Sequence, residues 1–198
     1  MTDYFAVFGL PRKLTVDADF LQRRFYELSR RHHPDFHQGA DAARQAEALA
    51  QSALVNRAYR ALRDPIPRVE YLIALEEGRG AREGATEKPT APRELLEEML
   101  EVQEALEEAK ATGMTGEAAA RVREERARLE ARYAAEADAI AGRAAEWDRL
   151  VDEGGDRKPL LEWFKHRLAT RAYLRTVIDD LSEALGEQEE GHVSHRRH

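Results

Sequence analysis

A proline at position 34 does most to limit how this chain can fold, because it interrupts a strongly amphipathic run. Proline lacks an N–H and disfavours helical geometry at the residue before it, so a helix through LQRRFYELSRR must stop near His33. At its other end, Thr15 or Asp17 offers an oxygen to cap the free N–H groups of a first turn. Leu21, Phe25, Leu28 and His32 then share an inner face, while Arg23, Arg24, Arg30 and Arg31 lie on the outer one. A second helical run, from about Asp41 to Arg63, turns Val55, Ala58, Tyr59 and Leu62 inward and is stopped by Asp64-Pro65. The connection is short, so the two helices are expected to pack antiparallel, with His33-Pro34-Asp35 in the loop at their bend.

Further along, residues 67 to 77 carry Val69, Leu72, Ile73 and Leu75 at the spacing of a shorter third helix. Residues 78 to 92 then lose all apolar period and read as a linker. Three more helical patterns follow, roughly 92 to 112, 116 to 150 and 157 to 186, separated by glycine-bearing breaks. The expectation is an all-α protein with four parts. Residues 1–77 form the first domain, 78–92 a linker, 93–186 a three-helix bundle, and 187–198 a polar, disordered tail. A composition of 35% charged and 7% aromatic residues suits long solvated helices. Trp147, Trp163 and Phe164 are expected inside the bundle.

Several function classes fall away on composition. There is no cysteine, which excludes disulfides and thiolate-held metals within the chain. A net charge of -7 argues against broad nucleic-acid binding, which rewards a basic protein. No stretch has transmembrane length or the form of a cleavable leader, so a cytoplasmic protein without membrane attachment is expected. His32, His33, His37 and Asp35 are competent metal ligands, yet ligands crowded across a proline turn do not readily converge on one ion, and no metal is expected. His192, His195 and His198 in the tail sit among glycine and charge, where disorder is the expectation. No Gly-x-Ser-x-Gly turn, phosphate loop or convergent acid–base set is present, so neither an enzyme nor a cofactor is expected.

Taken together, RRFYELSRRHHPD and NRAYRALRDP resemble the J-domain of DnaJ-type cochaperones, an antiparallel helix pair with short flanking helices. The resemblance implies that His33, Pro34 and Asp35, with Arg23, Arg24, Arg30 and Arg31, dock on a DnaK-type chaperone ATPase. Phe36 follows the tripeptide where general J-domains often have lysine, and its ring is expected to tuck against the helix pair. The opening DYFAVFGLP, the segment DPIPRVEYLIAL and the helical second half are similar to the HscB family, cochaperones of iron–sulfur cluster assembly. That similarity implies an HscA/DnaK-type chaperone and the cluster scaffold IscU as partners. It also implies scaffold contacts at Leu96, Glu97, Leu100, Glu101, Glu104 and Tyr173, with Glu97 standing where the family often has Met. By spacing alone, Leu96 and Leu100 could equally widen a core stripe made by Leu95, Met99, Val102 and Leu106. Tyr71, Leu72 and Leu75 are expected to join the third helix to the bundle. A general J-protein with another client is the rival reading, and homodimerisation stays open.

Overall fold

The computed structural model describes residues 2–37, 39, 41–78 and 93–186. The expected linker, apart from Gly78, and the expected tail lie outside the described residues. Eight α-helices and no strand occur among the described residues: α1 (Tyr4–Val7), α2 (Ala18–Arg31), α3 (Ala42–Leu62), α4 (Pro65–Glu76), α5 (Leu96–Ala111), α6 (Gly116–Gly142), α7 (Ala144–Glu153) and α8 (Lys158–Ala184). The fold is all-α, as expected.

Local chemistry explains the boundaries. Asp17 caps α2 by accepting from the Phe20 N–H, and Asp41 caps α3 by accepting from the Arg44 N–H. Pro65 sits in the first turn of α4, where its missing N–H has no partner to lose. Gly154 ends α7 at φ 65°, a left-handed conformation that costs glycine nothing. The run expected as one helix over 116 to 150 is two. It breaks at Arg143, just after Gly142, and Arg143 is held by Glu146 at 2.7 Å and lies 4.6 Å from the centre of the Trp163 ring.

Tertiary contacts divide the described chain into two compact units. The first comprises residues 2–78 with Ala139–Phe164, and the second residues 93–138 with 165–186. The expected three-helix bundle over 93–186 therefore does not coincide with the contacts, because residues 139–164 group with the N-terminal region. Polar anchoring explains that grouping. The Leu14 and Thr15 N–H groups both donate to the Asp148 carboxylate, at 2.6 and 2.9 Å, and Lys13 pairs with Asp152. Arg157 meets Glu76 at 3.4 Å. Trp147 and Phe164 are fully buried in this unit. Trp163 is half-buried beside Phe164.

The first unit's core contains Phe5, Phe8, Leu21, Val55, Ala58, Leu62 and Leu72. Tyr71 belongs to it as well, stacking on Tyr4 with ring centres 4.4 Å apart and accepting the Tyr4 N–H at its hydroxyl. Arg68 is the unexpected occupant, only 7% exposed. Its guanidinium donates to the carbonyls of Leu62, Leu14 and Arg63, tying the end of α3 to the loop before α2. Burial pushes its pKa below the usual arginine range, against the opposing pull of Asp64 and Asp148.

In the second unit, Leu95, just before α5, and Met99, Val102 and Leu106 of α5 pack with Val122 and Leu129 of α6 and Leu174, Ile178 and Leu181 of α8. The ion pairs fix the directions. Glu98, Glu101 and Glu108 of α5 meet Arg132, Arg128 and Arg121 of α6 in reverse order, so the two helices are antiparallel. Glu136–Arg167 and the Arg171 bond to the Tyr133 carbonyl set α8 antiparallel to α6 in the same way.

Candidate functional site

The bend after α2 is built by its own backbone. His32 donates to the Leu28 carbonyl and closes the helix, and residues Pro34–His37 form one 3₁₀ turn secured by the Phe36 N–H on the His33 carbonyl at 3.1 Å. The Asp35 N–H donates to His33 Nδ1 at 3.3 Å. The Asp35 carboxylate also lies 3.5 Å from that nitrogen. Nδ1 accepts in the first contact and must carry a hydrogen to make the second, so the two are alternatives. Either way the side chains of His33 and Asp35 stay close while 53% and 71% exposed, which leaves them open to a partner. Phe36 departs from expectation. Its ring is 68% exposed and stands edge-on to His33 with centres 6.2 Å apart, because the 3₁₀ turn carries it outward instead of onto the helix pair.

The expected basic face is present. Arg23, Arg30 and Arg31 are exposed, and Arg24 is half-exposed and bonded to Glu27 one turn along. Among the described residues, neither Arg23 nor Arg30 is held in an ion pair. The α2 helix thus shows solvent a cationic surface leading into the bend.

On α5, burial separates the two readings of the leucines. Leu95, Met99, Val102 and Leu106 face the core, whereas Leu96 and Leu100 are 55% and 62% exposed on adjacent turns. Glu97, Glu101 and Glu104 are exposed beside them. They are not equivalent: Arg128 holds Glu101 at 3.2 Å, while Glu97 and Glu104 carry no ion pair among the described residues. Tyr173 is half-buried against the same core that Leu95 and Met99 enter. The preference for Arg128 could not be read from α5 alone, since it depends on the antiparallel register with α6. No cluster of three or more His, Asp or Glu suited to a metal occurs among the described residues. No helix there is long and apolar enough to cross a membrane.

A bend with exposed His33 and Asp35 between antiparallel helices, flanked by a cationic helix face and followed by an all-helical second unit, is the arrangement of a J-domain-like fold. No family model matches the chain. Among solved structures it is similar to the chaperone HscB from Vibrio cholerae, with 24% identity and a TM-score of 0.66 over 93% of this chain and 99% of that one. It is similar also to the human co-chaperone protein HscB, with 26% identity and a TM-score of 0.63 over 92% of this chain and 82% of that one. The chain shares the all-helical fold of these two HscB structures over most of its length.

Proposed function

We propose that this chain is a cytoplasmic, non-enzymatic co-chaperone that stimulates an HscA/DnaK-type ATPase and delivers the iron–sulfur scaffold IscU to it. The carrying observation is the bend itself: His33 and Asp35 are exposed and held together at the end of a helix that displays Arg23 and Arg30. Opposite charge on a partner raises the encounter rate and fixes orientation more than it adds affinity, which suits a contact that must form and release in each cycle. The residues His33, Pro34 and Asp35 would then bias the partner toward hydrolysis, with the phosphoryl chemistry residing in the partner.

Leu96 and Leu100 supply apolar area to the scaffold, and Glu97 and Glu104 orient it. Such a small patch suits transient binding. Glu101 reaches the scaffold only by leaving Arg128, so its share is smaller.

The test is ATP hydrolysis by the purified chaperone with this chain, with and without IscU. His33→Gln is expected to return the rate to its unstimulated value while helicity and scaffold binding persist. Stimulation retained by that variant would remove the bend from the mechanism. Stimulation indifferent to IscU would instead favour a J-protein with another client.

A further inference from the structure

A second cationic surface lies in the first unit, away from the tripeptide. Phe25 of α2 and Ala53, Asn56, Arg57, Tyr59, Arg60 and Arg63 at the end of α3 line a concave groove of about 600 Å³. Its position follows from helix geometry. Arg57, Arg60 and Arg63 are spaced three residues apart, hence on neighbouring turns of one face and ~4.5 Å apart along the axis. Ala53, one turn before Arg57, is small enough to leave the depression open. The rings of Phe25 and Tyr59 stack with centres 4.1 Å apart and form an aromatic wall.

All three arginines are exposed. Arg63 pairs with Asp64 at 2.9 Å, but both side chains are more than half exposed and such a pair is weak enough to exchange. Arg57 and Arg60 carry no ion pair among the described residues. In a chain of net charge -7, three clustered cations, two of them without an ion pair among the described residues, form a second local basic patch.

From this arrangement we infer that the groove binds an acidic peptide segment of a partner protein, bearing carboxylates for Arg57 and Arg60 and an apolar or aromatic side chain for the Phe25–Tyr59 wall. Guanidinium groups match carboxylates in geometry as well as charge. The aromatic wall gives an apolar side chain something to pack on, which a bare anion would not use. Nucleic acid fits less well, because the cationic stretch is one short groove and the chain's overall charge repels a long polyanion. This site shares no residue with the bend or with the α5 patch, so it stands or falls independently of the proposed function.

Fluorescence anisotropy of a short fluorescein-labelled peptide, glutamates flanking one tryptophan, titrated with the full chain is the direct measurement. Saturable binding is expected. It should weaken about tenfold in Arg57→Ala/Arg60→Ala, a loss that corresponds to about 1.4 kcal/mol. It should also fall as salt rises and be unchanged in Arg23→Ala/Arg30→Ala. Circular dichroism checks that helicity is kept, and Arg57→Lys/Arg60→Lys provides a second variant with charge preserved and the planar fork lost. No binding, equal binding by Arg57→Ala/Arg60→Ala, or displacement of the peptide by duplex DNA at equal concentration would each overturn the assignment.

Discussion

The two units solve the same problem, a helical core with an exposed working surface, by different means. The first unit is held by large aromatic side chains and directed polar anchors: Trp147, Phe5, Phe8 and Phe164 are fully buried, and Arg68 and Asp148 bind backbone groups of distant segments. The second is held by aliphatic and alanine packing, with a row of Glu–Arg pairs between α5 and α6. The working surfaces differ accordingly. In the first unit the candidate site is a turn, fixed by backbone bonds around Pro34, with the side chains of His33, Asp35 and Phe36 exposed. In the second it is surplus apolar surface, two leucines more than α5 needs to fill its core. A turn can be specified locally, whereas surplus can be recognised only once the core is full.

The largest effect that would sharpen this contrast is expected from Trp147→Ala. Removing a fully buried indole should cost about 3–5 kcal/mol, because the surroundings collapse only partly into the void. In urea melts followed by circular dichroism, the loss should fall on the first unit, giving an early phase while the second unit persists. A single, unsplit transition at lower urea would break the idea that each unit rests on its own core.

Next comes Arg68→Met, which leaves three backbone carbonyls without their donor. A loss of about 3 kcal/mol is expected. Arg68→Lys should recover little of it, since one ammonium cannot reproduce a planar fork of donors. Full stability in the lysine variant would mean that charge, and not directed bonding, anchors this unit.

The smallest effect on stability is expected from Leu96→Ala with Leu100→Ala, within about 0.5 kcal/mol for each site, because both side chains are already more than half exposed. Scaffold affinity measured by titration calorimetry should fall at the same time. A stability loss above about 1 kcal/mol per site would return these leucines to the core.

Much of the first unit was legible in the sequence because its determinants are local. Pro34 ends α2, Asp17 and Asp41 start their helices, and Asp64-Pro65 separates α3 from α4, each through the geometry or hydrogen bonding of a few consecutive residues. Periodicity likewise placed Leu21, Val55, Ala58 and Leu62 inside and the arginines of α2 outside. It gave only the angular position of Leu96 and Leu100, next to a stripe already wide enough, so exposed and buried were both consistent with it.

What tertiary structure alone decided were the matters that need two segments far apart in the chain. Residues 139–164 join the first unit through Asp148 and Asp152, which no helical spacing encodes. Arg68 is buried because three carbonyls converge on it. Glu101 differs from Glu97 and Glu104 because the antiparallel register of α6 brings Arg128 to it. Phe36 is exposed because the 3₁₀ turn aims it away from the pair. Backbone chemistry and periodicity act within a few residues and can be read along the chain, whereas burial and pairing depend on which surfaces meet, and that is settled only when the helices pack.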